Sequence, residues 1–464
     1  MLKIVFLFLM AGGIPVAMAM AGASLIYIVA TGNLPPFVVI HRMIGGIDSF
    51  PLLAVPFFIL AGNLMNNAGI TNRIYNFALA LVGWLKGGLG HVNVLGSVIF
   101  AGMSGTAIAD AAGLGTIEIK AMQDHGYETE FAVGVTAASA TLGPIIPPSL
   151  PFVIYAMMAN VSVGALFLAG ILPGLLMALL MMLTVAYYAH KNAWGGDIKF
   201  TATRFGKAII ETAVVAVWPL TLYYLVQWGA QAQVTVIAGL VVLFVADRTF
   251  RFEAVLPIMT PVLLIGGMST GIFTPTEGAI AACVWAMALG LWWYRTLSWK
   301  RFVKVCLDTV ETTATVLFIV AAASIFGWML TATGVTAAIA QWVLAFTKEP
   351  WVFLLLANVL MLFVGCFLEP TAAITILVPL LLPIARQLGV DPVHFGLVMV
   401  LNLMIGLLHP PMGMVLFVLA RVAKLSVERT TVAILPWLVP LLLSLVILTY
   451  IPSIGLWLPK VMGF

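Results

Sequence analysis

Residues 102–151 read GMSGTAIADAAGLGTIEIKAMQDHGYETEFAVGVTAASATLGPIIPPSLP, and this stretch decides the fold. Backbone-breaking clusters at 102–106 and 143–151 interrupt otherwise apolar sequence. Pro147 and Pro148 carry no amide donor, and a proline disfavours helix in the residue before it. Inside a bilayer, unpaired backbone survives only where protein or a wet cavity covers it. Interrupted hydrophobic segments are therefore the sequence pointer to a transporter's binding site.

The stretch occurs twice. Gly365 lies 263 positions beyond Gly102, and the same offset pairs Gly126 with Gly389, Gly143 with Gly406, Pro147-Pro148 with Pro410-Pro411, and Ser139 with Asn402. Upstream, GNLMNNAGIT (62–71) matches GWMLTATGVT (327–336) at an offset of 265, so a two-residue indel separates the blocks. A register of breakers recurring in order over so long a period means duplicated halves, not a solenoid.

The 464 residues are 63% hydrophobic and 8% charged. Soluble domains carry about 25% charged residues, so the chain is a polytopic membrane protein. Its net charge of +4 sits in short loops between apolar runs and needs no nucleic-acid partner. Cys283, Cys306 and Cys366 are too scattered for a disulfide framework or a zinc site, and the six histidines show no metal-ligand spacing. No nucleophile elbow, phosphate loop or HExxH is present, which argues against an enzyme. The N-terminal apolar run continues to Ala30, too far for a signal peptide's short core.

In chain order, spans are expected at 4–30 and 51–67, then a flat amphipathic segment at 73–87. A re-entrant hairpin at 90–122, broken at 103–106, precedes a broken span at 129–160 and a continuous one at 163–189. An extra span pair, 209–229 and 232–246, follows the basic loop. Spans at 255–273, 275–294 and 309–330 lead to a second flat segment at 336–346. A second hairpin at 351–386, broken at 368–371, a broken span at 393–423 and a last span at 432–458 complete the chain. Basic loops at 190–207, 247–253, 295–304 and 421–429 belong in the cytoplasm. Seven crossings separate the hairpins; because seven is odd, the hairpins enter from opposite faces and the repeats are inverted. The chain thus divides into a first repeat (1–190), a basic loop with the extra pair (191–250), and a second repeat (251–464).

Hairpin tips and helix breaks meeting at mid-membrane offer free N–H groups to anions and free carbonyls to Na⁺. Ser104, Thr106, Thr136, Ser139, Thr141 and Ser149 add side-chain oxygens in the first half; Glu369, Thr371, Thr375 and Asn402 do so in the second. A single Ser or Thr more commonly satisfies its own helix backbone, but clustering at equivalent breaks favours a site. Intramembrane charges each cost about 2.5–3.5 kcal/mol at a helix centre. Asp110 and Glu369 lie near the tips, where they can influence cation binding. Glu277 caps the helix after Pro275, and Glu118 is expected at the hairpin's wet end. His409 reads equally as a packed, hydrogen-bonded histidine or as a ligand. All eleven lysines fall at termini, loops or segment ends, which weakens a proton-pumping or channel reading.

The motifs SGTAIAD (104–110), TAASATLGPIIPPSLP (136–151), GIFTPTEGA (271–279), FLEPTAAITILVPLLLPIA (367–385) and DPVHFGLVMVLNLMIGLLHPPMG (391–413) resemble the large membrane subunit, DctM-type, of the tripartite ATP-independent periplasmic (TRAP) transporters. The resemblance covers most of the chain in family order. It implies an all-α, elevator-type Na⁺ symporter of the ion-transporter superfamily in the bacterial inner membrane. A small four-helix membrane subunit and a periplasmic substrate-binding protein delivering an organic acid would be its partners. The family's substrate region maps onto Ser104, Gly105, Thr106, Ser139, Pro147, Pro148, Thr371, Asn402, Pro410 and Pro411. Its sodium regions map onto Ser104, Thr141, Gly143, Gly365, Glu369, Thr371, Gly406, His409 and Gly413, largely through carbonyls. The chain departs from the family in Thr106, commonly Ser, and in His409, usually Thr. A stand-alone carboxylate/Na⁺ symporter of the same superfamily is the nearest alternative.

Overall fold

Helix breaks fall where glycine, proline and capping side chains coincide, and they recur between the halves. The computed structural model describes residues 1–227, 232–250, 252, 254–269, 273–410 and 413–464. Pro411, the first two residues of GIFTPTEGA and parts of the segments expected at 209–229 and 255–273 therefore lie outside the described residues. The described residues are helical, with no strand. Among the described residues, five helices are long and apolar enough to cross a bilayer: Val163–Lys191, Pro275–Trp293, Trp299–Ala332, Pro370–Gln387 and Val427–Tyr450.

The first hairpin comprises Gly88–Ser104, a tip at Gly105 and Thr106, and a second arm split into Ala107–Ala112 and Leu114–Asp124. The second comprises Pro350–Gly365, a tip at 366–369 and Pro370–Gln387. The broken spans are Thr129–Ala140 with Leu150–Ala159, and Pro392–Gly406 with Met414–Ala423. The duplication extends to backbone conformation. Gly69 (φ 72°) and Gly334 (φ 71°) are left-handed, as are Gly126 (83°) and Gly389 (76°). Asn160 and Lys424, at an offset of 264, are left-handed too (52° and 56°), each preceding a Ser-capped long helix.

Several expected segments need correction. The span expected at 4–30 is two helices, Leu2–Ala11 and Val16–Thr31, because Gly13 turns left-handed (φ 78°) just before Pro15. The last span stops at Tyr450 and resumes as Ser453–Val461 beyond Pro452. Phe37–Ile47 is a helix that periodicity did not single out. Lys300, Arg301 and Lys304 belong to the first turns of the 34-residue helix Trp299–Ala332, started by a Ser298 cap, rather than to a loop.

The two repeats interlock. Tyr155 Oη donates to the Pro392 carbonyl (2.6 Å) and Arg386 Nη2 to the Ala159 carbonyl (2.7 Å), joining the first broken span to the second repeat. A Cβ added to Gly170 or Gly174 would lie 2.2 Å from the Ile145 carbonyl oxygen or 2.4 Å from the Ile146 side chain, so Val163–Lys191 lies hard against the first break. Gly134 meets Ala433 and Trp437 of Val427–Tyr450 as closely. Outside this bundle, Ala54–Asn67 packs on Pro275–Met287 and Trp299–Ala332; Asn63 donates to Thr309 (3.0 Å) and Cys283 to the Phe57 carbonyl (3.0 Å).

Candidate functional site at the hairpin tips

Each tip is built by an N-cap. Thr106 is extended (φ −139°, ψ 138°), and its hydroxyl accepts from the Ala109 amide at 3.3 Å. Glu369, 263 positions later, accepts from the Ala372 amide at 3.3 Å and from the Thr371 hydroxyl at 2.8 Å. These side chains satisfy amides that a helix start leaves open. Glu277 forms a capping box with Thr274, as expected from TPTEG.

The tips rest on the breaks. Gly105 is left-handed (φ 65°), and a Cβ there would sit 2.7 Å from the Pro148 carbonyl oxygen. A Cβ on Gly143 would lie 3.0 Å from the Thr106 carbonyl oxygen. In the other repeat, Gly406 faces Gly365 so closely that its Cβ would lie 2.7 Å from the Gly365 Cα. Pro147-Pro148 is a cis peptide. Ser149 donates to the Pro144 carbonyl and accepts from the Phe152 amide, capping Leu150–Ala159.

Between tips, breaks and the outer helices lies a cavity of about 360 Å³. Ser104, Gly105 and Thr106 line it from the first tip, and Glu369, Pro370 and Thr371 from the second. The breaks contribute Pro144, Leu150, Pro151, Leu407 and Met414. Gly62, Asn63 and Asn66 of Ala54–Asn67 and Thr312 of Trp299–Ala332 close the outer side. Among the described residues, no lining residue is Lys or Arg, and Glu369 is the acidic one. Ser104, only 4% exposed, leaves its hydroxyl oxygen without a hydrogen-bond partner, as a group aimed at a cation or substrate would.

The structure does not bring every expected residue to this cavity. Ser139 is buried and donates to Asn93 (2.7 Å); Asn402 donates to Asn358 (2.8 Å). Thr141 bonds back to the Ala138 carbonyl (2.6 Å). His409 places Nδ1 3.0 Å from the Ile405 carbonyl, within its own turn. Gly143, Gly365, Gly406 and Gly413 act as close-approach positions, while Pro147, Pro148 and Pro410 do not line the cavity. Glu118 is not at a wet end: it is 1% exposed and accepts from Asn93 at 2.7 Å, because its arm turns inward against Gly96.

Asn93 and Asn358 were missed by the sequence reading, although they lie 265 apart, the offset of the upstream repeat block. Each ties the first arm of its hairpin to the adjacent broken helix. Asn63 and Asn66 were also missed as lining residues; both lie within the repeated block GNLMNNAGIT.

Residues 3–454 match the family described as "Tripartite ATP-independent periplasmic transporter, DctM component". The chain is 41% identical over 456 residues to the sialic acid TRAP transporter large permease protein SiaM of Vibrio cholerae, covering 97% of this chain and 96% of that protein. It is 33% identical to the C4-dicarboxylate TRAP transporter large permease protein DctM of Rhodobacter capsulatus, covering 98% and 97%. Among solved structures, the YdaH transporter of Alcanivorax borkumensis superposes with a TM-score of 0.59 at 16% identity, over 90% of this chain and 88% of that one, a likeness of fold. The chain belongs to the DctM family of tripartite ATP-independent periplasmic transporters, as a multi-pass large permease subunit of the inner membrane, a transporter component and not an enzyme.

Proposed function

We propose that this permease carries an organic acid inward together with Na⁺, by an elevator movement, after delivery by a periplasmic binding protein and alongside a small four-helix membrane subunit. The observation that carries the reading is the cavity's lining, where both tips and both breaks meet two outer helices without a basic side chain among the described residues. With no Lys or Arg among the described lining residues, a carboxylate entering the cavity meets no countercharge unless cations accompany it. Relatives named for sialic acid and for C4-dicarboxylates support a carboxylate substrate. Carbonyls freed at the tips and breaks, with the Ser104 and Thr371 hydroxyls, supply hard oxygen donors suited to Na⁺.

Charge sets the stoichiometry. Moving one charge against an inside-negative potential is worth about 2.3 kcal/mol per 100 mV, so a dianion needs at least two cations, and more than two let the potential assist. The duplicated tip-and-break arrangement offers two such regions, around Ser104, Thr141 and Gly143, and around Gly365, Glu369, Thr371, Gly406, His409 and Gly413. The moving unit comprises both hairpins and both broken spans. The close packing of Gly134, Gly170 and Gly174 extends it to Val163–Lys191 and Val427–Tyr450. Uptake by proteoliposomes carrying the permease with its two partners should require Na⁺. Full uptake in Na⁺-free buffer under a pH gradient alone would reject the sodium assignment.

A further inference from the structure

Away from the cavity, three arginines converge on an aromatic floor. A separate open cavity of about 660 Å³ is lined by Arg73, Arg248 and Arg295 together with Trp292, Trp293 and Tyr294. Arg73, on the short helix Ile70–Val82, stacks its guanidinium over the Tyr294 ring, 4.0 Å from the centroid. Trp293 Nε1 donates to Asp247 at 2.8 Å, and its ring packs on Phe244 at 4.7 Å, so the floor is fixed from the extra helix Ala232–Phe250. The far wall forms where Pro275–Met287 passes into the π-helical turn Ala288–Trp293 and Arg295 takes a left-handed conformation (φ 52°). Trp292 remains 77% exposed beside these cations.

We propose that this recess binds the phosphodiester headgroup of an anionic membrane lipid, such as phosphatidylglycerol. Among the described residues, three guanidiniums against one carboxylate, Asp247, leave a positive recess, and guanidinium forks match phosphate oxygens in pairs. An exposed tryptophan beside them suits the headgroup level, where indole rings concentrate. Arg248, in the last turn of Ala232–Phe250, and Arg295 lie in segments that the bias of basic residues assigns to the cytoplasmic face, where anionic headgroups attract basic segments. The recess joins the helix Ile70–Val82, the extra helix Ala232–Phe250 and the end of Pro275–Trp293, all outside the bundle proposed to move. A bound headgroup thus anchors the stationary part. The binding site stands on these contacts alone; the anchoring role rests on the elevator reading.

The test is native mass spectrometry of the delipidated permease titrated with phosphatidylglycerol and, separately, with phosphatidylcholine. Wild-type protein should retain phosphatidylglycerol preferentially. Arg248→Gln with Arg295→Gln, two exposed positions, should weaken it at least tenfold without changing the melting temperature, at about fivefold per juxtamembrane arginine. Equal retention by the variant, or equal binding of the zwitterionic lipid, overturns the site. Displacement by millimolar inorganic phosphate would mark a soluble-anion site and also overturns the lipid assignment. Should the double variant misfold, the wild type is titrated with brominated phosphatidylglycerol. Its tryptophan quenching should fall in Trp292→Phe, and unchanged quenching counts against the recess. None of these readouts depends on transport, so failure here leaves the elevator reading standing.

Discussion

Thr106 and Glu369, 263 positions apart, do the same job at the two hairpin tips: each accepts the amide three residues ahead, at 3.3 Å, from within the same cavity. The chemistry differs, since one cap is a hydroxyl and the other a carboxyl. An internal duplication has kept the geometry and let the charge diverge.

That equivalence predicts an ordered response at the tips. Thr106→Ser keeps an acceptor and should retain most uptake, whereas Thr106→Ala should lose it, since removing an N-cap costs about 0.5–2 kcal/mol locally. Glu369→Gln preserves a carbonyl acceptor for Ala372 and should be milder than Glu369→Ala. Initial uptake rates in proteoliposomes check the order. Equal rates for the Ser and Ala variants at position 106 would refute the cap's role.

Behind the first tip, the Asn93 side chain serves Glu118, Thr136 and Ser139 together. Asn93→Leu leaves the buried Glu118 carboxyl without its amide donor, a loss of about 1–3 kcal/mol. It should lower the melting temperature in detergent clearly more than Ser139→Ala, which removes one contact. Identical melting of the two variants would contradict the network.

The sequence revealed the repeat, both hairpins, both breaks and the Glu277 cap, because glycine, proline and cap residues act locally and keep their spacing. It did not reveal what depends on packing. Ser139 and Asn402 face inward to asparagines, not into the cavity, and nothing in their own spacing distinguishes the two directions. Glu118 reads as wet because its segment is the most polar of the hairpin, yet the arm's inward turn buries it. The association of Val163–Lys191 and Val427–Tyr450 with the first broken span arises from close approaches at Gly134, Gly170 and Gly174, scattered over two helices. No local signal marks those.

At the second break, Gly406→Ala should be severely destabilising, since the new methyl would overlap the Gly365 backbone, which cannot swing aside as a side chain can. Gly45→Ala is the matched control: it is helical, and a Cβ there meets no neighbouring atom within 4 Å. That substitution should be neutral or stabilising by up to about 1 kcal/mol. Comparable melting temperatures for the two would show that the Gly365–Gly406 approach is not required.

Two crosslinks separate the moving unit from the stationary one. A Cβ on Gly113 would lie 2.6 Å from Asn66 Oδ1 and 2.8 Å from the Ala109 carbonyl oxygen, so Asn66→Cys with Gly113→Cys places thiols across the boundary between Ala54–Asn67 and the first hairpin, and the double variant must transport before it is linked. Glu130 and Arg429 form a surface ion pair that joins Thr129–Ala140 to Val427–Tyr450. Its loss is worth about 0–1 kcal/mol, so Glu130→Cys with Arg429→Cys leaves the fold intact. Both pairs are placed in a background free of Cys283, Cys306 and Cys366 and joined with a short bifunctional reagent. If the bundle translates as one body past Ala54–Asn67, the first link stops uptake while the protein still melts as folded. If Val427–Tyr450 travels with that body, the second link leaves uptake unchanged. Undiminished flux through the fully linked Asn66–Gly113 variant would reject the elevator movement. Arrest by the Glu130–Arg429 link alone would move Val427–Tyr450 to the stationary side.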